Sequence, residues 1–441
     1  MSRYNQIYIE SYQDLIGRLF DKEITSDQRD KNALYNHSDY MIKDITIQVT
    51  ESCNFACSYC YQHNKSQHAM SYEMAVKVVD NCLNDPDISN KLGVIINFIG
   101  GEPLLEIELI DKVCSYYFKK VSEKDIKLAS RSMIAICSNG WLYFDTKVQE
   151  FIKKYHRNLS FSISIDGFKE LHDSCRVTVG GLPTYDLCIK AAKHYMENYG
   201  YLGTKMTFAK ENIMYASKGL INLFENGYQD VHCNCAYEPE WEVEDAKHLY
   251  NQFKIVADYI IDNDLEDKVY CSLFNEDYGK PLDLENEEDC RNWCGGNGEM
   301  LVIDYNGLWY PCLRYMPSSL AGKQEPIICG DIEHGIDHDI LKKMQEVNVI
   351  SCSTEECTNC PVAKGCSYCT AYNYEIFGTI NKRVINICIM HKATSLINTY
   401  FYNKIYKKHN LGERLQVHLP EEEALKIISK EEYDMLINLS K

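Results

Sequence analysis

The sequence predicts an α/β protein in which strands and helices alternate into a parallel sheet, followed by a small cysteine-rich module. Three observations carry this. Between residues 43 and 262, short β-branched apolar runs alternate with longer amphipathic stretches, which implies parallel pairing through right-handed crossovers. Of the 441 residues, 45% are apolar and 25% charged, the balance of an ordinary folded protein with a sizeable core. The 21 cysteines are unevenly placed, with a tight group at 53–60 and a crowd from 290 to 388.

Taken in order, residues 1–42 are a polar, Tyr-rich lead-in with some helix. Strands are expected at 44–49, 94–99, 132–136, 159–165, 205–209 and 230–233, where apolar residues alternate or run together. Helices are expected between them at 72–83, 106–121, 145–155, 185–199 and 213–225, with a sixth at 242–261. Such a chain closes as a doubly wound sheet or a partial barrel. In both, function collects at the C-terminal ends of the strands. Residues 263–289 are an acidic linker. The cysteine-rich module spans 290–394, and Asn306-Gly307 marks the turn of a hairpin that brings Cys294 and Cys312 near each other. Residues 395–441 form a helical tail, ending in an acidic amphipathic segment that packs on the rest.

Composition excludes some partners. A net charge of −18 argues against nucleic acid, which needs a basic surface. The first twenty residues lack a basic start and apolar core, so no signal peptide is expected, and no run approaches a membrane span. The reading is cytoplasmic. In a reducing compartment dense cysteine means metal sites more often than disulfides. Cys82, Cys114, Cys137, Cys175, Cys188 and Cys271 are scattered and read as small core residues. Cys233 and Cys235 read as packed or exposed thiols.

The strand ends carry the chemistry. After the first comes Cys53-x3-Cys57-x2-Cys60, three thiols on one loop, suited to three irons of a cubane cluster with the fourth iron open. Zinc or three free thiols are the alternatives. After the second comes Gly100-Gly101-Glu102-Pro103, whose glycines permit close backbone approach and whose carboxylate accepts from an ammonium group. After the third comes Ser138-Asn139-Gly140. The fourth ends in Ser164-Ile165-Asp166, with Ser164 and Asp166 on one face for ribose or carboxylate contacts. Arg176, in the segment HDSCR, offers a guanidinium fork for a carboxylate. Each motif alone is weak, since each also reads as a turn; their order along the strand ends is specific.

That ordered set resembles the radical S-adenosylmethionine (radical SAM) enzymes. The resemblance implies a partial (β/α)6 barrel over 43–262. It implies a 4Fe–4S cluster on Cys53, Cys57 and Cys60 whose open iron is chelated by S-adenosylmethionine. It places Gly100 to Pro103 at the methionine amino group, Tyr59 beside the adenine, and Ser138, Asn139, Ser164, Asp166 and Arg176 around the rest of the cofactor. It implies reductive cleavage to a 5′-deoxyadenosyl radical that abstracts a substrate hydrogen atom.

The last third is similar to the SPASM extension of peptide-modifying members, which holds two further 4Fe–4S clusters. The first would take Cys294, Cys312 and Cys369, with Cys290 as a candidate fourth ligand. The second would take Cys357, Cys360, Cys366 and Cys388. One departure is the x2 spacing before Cys369, where x3 is usual. Another is Leu313 after Cys312, where sulfatase maturases have an Asp base. The stretch from Gly365 looks like maturases of Cys-repeat precursors. This implies an oxidoreductase that forms Cys thioethers in a Cys-rich precursor peptide, fed by a flavodoxin- or ferredoxin-type electron donor in an anaerobic bacterium. Carbon–carbon cross-linking, epimerisation, sulfatase maturation and a non-catalytic cluster scaffold are the alternatives. With only a short lead-in, precursor recognition is expected to fall to a separate chain or to the two ends.

Overall fold

The computed structural model describes residues 42–441 except 63–64, 90, 92, 291, 293, 295 and 297–299, so the lead-in at 1–41 lies outside the described residues. Six strands follow the expected order: β1 (Ile42–Thr50), β2 (Gly93–Gly100), β3 (Met133–Ser138), β4 (Leu159–Ile163), β5 (Thr204–Phe208) and β6 (Asp230–Cys235). β1 to β4 form one parallel run, and β5 with β6 another. The runs meet at a parallel bridge, Ser162 to Gly203, reinforced by Thr204, whose hydroxyl accepts from Ile165 N at 3.1 Å and donates to Ile163 O at 2.8 Å. The sheet therefore curls into a partial barrel.

Its helices are α1 (Tyr72–Asn84), α2 (Ile107–Lys124), α3 (Thr146–Tyr155), α4 (Lys169–Cys175), α5 (Tyr185–Tyr199), α6 (Ala216–Glu225) and α7 (Val243–Asp262). Local chemistry sets several starts: Ser71 caps α1, Asp145 caps α3, and Glu242 with Asp245 makes a reciprocal capping box on α7.

Register defines two faces. Ile45 pairs with Ile96 and Ile47 with Phe98, and these buried residues face the helices. The opposite, inward face carries Thr46, Asn97, Cys137, Ser160 and Ser162, by the period of two. The inside of the barrel is thus largely polar. Cys233 and Cys235 lie on the helix-facing side, packed rather than exposed, with Cys233 3.8 Å from Cys271.

The short helix α4 was not among the expected elements, and two further features were invisible in the sequence. A two-residue strand, β7 (Tyr270–Cys271), extends β6 from inside the expected linker. The expected hairpin, β8 (Leu301–Ile303) and β9 (Leu308–Tyr310), does form, but β8 also pairs in parallel with β1, so the cysteine-rich segment continues the barrel's own sheet. Beyond it lie α8 (Thr370–Phe377), α9 (Cys388–Lys408) and, in the tail, α10 (Lys430–Leu439). α9 is buried on nearly all sides, and Tyr250 and Lys254 of α7 hold Glu432 of α10 at 2.7 and 2.6 Å. No described helix is long and apolar enough to cross a membrane.

Candidate active site

The loop carrying Cys53, Cys57 and Cys60 is stitched on both sides. Toward α4, Ala56 N donates to Val177 O at 2.8 Å, Ser58 N to Cys175 O at 3.0 Å, and Val179 N to Asn54 O at 3.0 Å. Toward β2, Gly101 N donates to Thr50 O at 3.1 Å and Glu102 N to Ser52 O at 2.9 Å. Gly101 must lack a side chain: a Cβ there would sit 2.4 Å from Ser52 O and 2.7 Å from the Cβ of Cys53. The glycine pair thus fixes the backbone of the first cysteine.

The three thiols crowd together. Burial pushes Cys57 up to about 11; Arg176, its Nη1 4.0 Å from the sulfur, opposes this, while Cys60 and Cys53 add to it. Cys53 is raised by burial and by Glu102 and Cys60, and its sulfur accepts from Phe55 N at 3.4 Å. Clustered thiols that repel as thiolates are stabilised by a bound cationic centre. As the side chains stand, no three His, Cys, Asp or Glu among the described residues form a single-ion site. A cubane puts each thiolate on a different iron, so its ligands need not converge on one point. The donor set fits the cluster.

Glu102 is fully buried, and its carboxylate ties β2 to β3. Oε1 accepts from Leu104 N at 3.1 Å and from the Ser138 hydroxyl at 2.8 Å, while Oε2 accepts from Asn139 N at 2.8 Å. Burial lifts its pKa to about 6, against the pull of these donors. Any ammonium group would share the carboxylate with them. Pro103 opens the short turn Pro103–Glu106 that follows. The Asn139 amide donates to Asn54 Oδ1 at 2.7 Å, so it too braces the cysteine loop. Ser164 stays on the inward face, its hydroxyl 3.7 Å from the sulfur of Cys137, which is exposed on that face and not the core residue expected.

Asp166 is fully buried. Its Oδ2 accepts from Arg176 Nε at 2.8 Å and from the Tyr59 hydroxyl, and the guanidinium lies 5.4 Å from the Tyr59 ring centre. Burial alone would lower the Arg176 pKa, but Asp166 and Tyr59 more than reverse it. Oδ1 of Asp166 and Nδ2 of Asn54 are buried with no described partner, two polar atoms at the cysteine loop that a polar ligand could satisfy.

His172 was missed by sequence reasoning, although it stands in the HDSCR segment. Its Nδ1 accepts from Asp166 N at 3.2 Å, and its Nε2 is 3.0 Å from the Thr184 hydroxyl, which donates to Arg176 O at 2.6 Å. Burial depresses its pKa to about 4, so a neutral ring orients both Asp166 and Arg176.

In the cysteine-rich segment, a Cβ on Gly296 would lie 3.2 Å from the Cys294 sulfur and 3.5 Å from that of Cys312, so the two thiols flank one backbone point. Burial, then Cys369, raises Cys294 to about 11, and Cys312 is raised by burial and by both other thiols. Cys369 caps the N-terminus of α8, its sulfur accepting from Tyr372 N at 3.4 Å. Cys290 stands apart: its buried thiol faces Asp283 O at 3.8 Å and Leu284 O at 3.9 Å, and the nearby charges are Asp289 and Asp283, not other thiols. Cys366, by contrast, is raised to about 11 by burial, with Cys388, Cys360 and Cys357 adding to it. Burial also raises Cys388, to which Cys360 and Cys357 contribute.

Arg314, also missed, joins the two regions. It binds Glu238 beyond β6 at 2.7 Å and Glu375 of α8 at 3.4 Å, and lies 5.9 Å from the ring centre of Tyr61, next to Cys60.

Residues 47–209 match the Radical SAM superfamily, and the chain carries a radical SAM domain of α/β architecture. It is 34% identical to an uncharacterized protein of Methanocaldococcus jannaschii over 143 residues, 32% of this chain and 45% of that one, so the match spans under half of the relative. It is 22% identical to the radical SAM cyclopropyl synthase TigE of Paramaledivibacter caminithermalis over 410 residues, 88% of this chain and 77% of that protein. It is 25% identical to a serine-type anaerobic sulfatase-maturating enzyme of Bacteroides thetaiotaomicron over 297 residues, 60% of this chain and 67% of that one. In fold it is similar to anSMEcpe with bound AdoMet (TM-score 0.61, 18% identity, 89% of this chain and 98% of that one). It is also similar to Streptococcus suis SuiB bound to precursor peptide SuiA (TM-score 0.52, 17% identity, 82% and 81%).

Proposed function

We propose that this protein is a radical S-adenosylmethionine peptide maturase that forms Cys thioether cross-links in a ribosomally made precursor. The observation that carries the reading is the meeting of Cys53, Cys57 and Cys60 with buried Asp166 and Arg176 at one barrel mouth, beside a polar inner face. When bound, the cluster and S-adenosylmethionine supply a 5′-deoxyadenosyl radical that takes a substrate hydrogen atom. The protein's own groups bind and orient. Gly101 sets the cysteine loop, Arg176 presents a guanidinium beside Cys57, and Asp166 offers its free oxygen to a hydroxyl or ammonium. Two further 4Fe–4S clusters are assigned to Cys294, Cys312 and Cys369 and to Cys357, Cys360, Cys366 and Cys388. Peptide substrates are supported by likeness in fold to SuiB with SuiA. Sulfatase maturation remains a second reading, favoured by the similarity to sulfatase-maturating enzymes and opposed by Leu313, which cannot act as a base.

The test is anaerobic reconstitution followed by incubation with S-adenosylmethionine, dithionite and small Cys-rich peptides. The expected result is about twelve irons from three cubanes, release of 5′-deoxyadenosine, and a peptide two mass units lighter that has lost one alkylatable thiol. Loss of two mass units with every thiol intact would point to carbon–carbon bonding, as the name of the cyclopropyl synthase suggests. Full iron without cleavage of S-adenosylmethionine would sink the enzyme reading.

A further inference from the structure

The positive charges near the assigned cluster ligands are not used alike. Arg176 is paired with Asp166 at 2.8 Å, Arg314 with Glu238 at 2.7 Å, and Lys392 with Glu423 at 2.8 Å. Arg383 has no carboxylate partner among the described residues. Its Nη2 instead donates to the Cys366 sulfur at 2.9 Å and to the carbonyls of Cys366 and Ser367 at 2.7 and 3.3 Å, and its Nη1 donates to the Ser353 hydroxyl at 3.3 Å. The guanidinium lies 4.9 Å from the Tyr368 ring centre, and Arg383 N is anchored on Cys352 O at 2.9 Å. Its charge is therefore held in place and directed at one sulfur. Cys388, another of the assigned ligands, is the first residue of the 21-residue α9 and so stands at the positive end of that helix's dipole.

A hydrogen bond to a ligand sulfur and a nearby positive charge both stabilise a cluster more in its reduced, more negative state. We propose that Arg383 is a positioning residue that raises the potential of the cluster on Cys357, Cys360, Cys366 and Cys388, making it the most easily reduced centre in the protein. This rests on the maturase reading above. It gives that reading an electron sink. Forming a C–S bond removes one S–H and one C–H hydrogen. One leaves as a hydrogen atom to the 5′-deoxyadenosyl group and one as a proton, and the remaining electron passes to the oxidised cluster.

The experiment is a redox titration of the anaerobically reconstituted full chain, followed by electron paramagnetic resonance. The signal of this cluster is the one that Cys388→Ala removes. In the wild type it should titrate at the highest potential of any cluster signal. Arg383→Gln should lower its reduced-to-oxidised ratio at a fixed potential about tenfold, or about 59 mV for a one-electron couple. The signal lost in Cys57→Ala should not move, and Arg383→Lys, which keeps the charge, should restore most of the shift. An unmoved potential in Arg383→Gln, or a fall as large in Arg383→Lys, would overturn the inference. Should Arg383→Gln fail to load iron, the wild-type ranking decides: any rank below the highest for this cluster refutes it. Full iron with no signal that depends on Cys388 would overturn the two-cluster assignment itself.

Discussion

Replacing Glu102 with Ala separates two uses of one carboxylate. If Glu102 is chiefly a clamp between β2 and β3, the cost appears before any cofactor binds. The change orphans the buried N–H groups of Leu104 and Asn139, each at about 1–3 kcal/mol, and the Ser138 hydroxyl must turn elsewhere. Against this, the variant no longer buries a charge. With the pKa raised from 4.5 to about 6, the ionised carboxylate is penalised by about 2 kcal/mol near neutrality. The net loss at pH 7 is then about 2 kcal/mol. The sign of the pH effect follows from the raised pKa. The penalty is absent below the unfolded value of 4.5 and complete above about 6, so the wild type gains on the variant as pH falls from 7 toward 5. Thermal unfolding of the anaerobic, cofactor-free protein at both pH values checks this. An unchanged midpoint, combined with lost S-adenosylmethionine binding, would refute the clamp and leave ammonium recognition as the main role.

Gly101→Ala should displace the cysteine loop, because its Cβ would meet Ser52 O at 2.4 Å; about four irons should be lost while the remaining clusters load. Iron analysis with S-adenosylmethionine cleavage decides, and full activity would contradict the packing argument. Arg176→Gln leaves buried Asp166 without its cation and should cost about 3–5 kcal/mol, partly recovered by adding Asp166→Asn. Additive losses in a thermal double-mutant cycle would deny that the pair is coupled.

The six main strands and the six expected helices were legible because each is long enough to show its period, whereas α4, at seven residues, was not expected. β7 was not, since two residues have no period, and its pairing is set by β6. α9 was legible as a helix but not as a buried one. Its Asn398 and Asn403 look solvent-facing in sequence, yet Asn398 accepts from Asn275 N at 2.8 Å and donates to Leu273 O at 2.9 Å, while Asn403 takes both hydrogen bonds of Leu415. At the site, motif order located the strand ends, but partners remote in sequence were hidden. Nothing near Glu102 announces Asn139 N, and nothing near Cys366 announces Arg383. Nor does spacing announce that Cys290, four residues from Cys294, turns its thiol toward the carbonyls of 283 and 284.

The parallel pairing of β8 with β1 makes the spacing between the two cysteine regions a property of one sheet. β1 ends at the Cys53 loop, and β8 leads through β9 to Cys312, so a slip of the hairpin would move one set of thiols relative to the other. The hairpin is pinned at its turn. Gly307 has φ +82°, and a Cβ there would meet the Ile332 side chain and the Met74 sulfur of α1 at 2.8 Å. Gly307→Val therefore combines backbone strain with overpacking, each costing about 1–3 kcal/mol. The strain falls on β8, β9 and Cys312, while the loop at 53–60 keeps its stitching to β2 and to the 175–179 segment. The expected variant binds iron at Cys53, Cys57 and Cys60 and cleaves S-adenosylmethionine without substrate, but loses iron assigned to Cys294, Cys312 and Cys369 and yields no cross-linked peptide. Equal loss of both iron populations would mean that the hairpin supports the whole barrel rather than setting the distance between its centres.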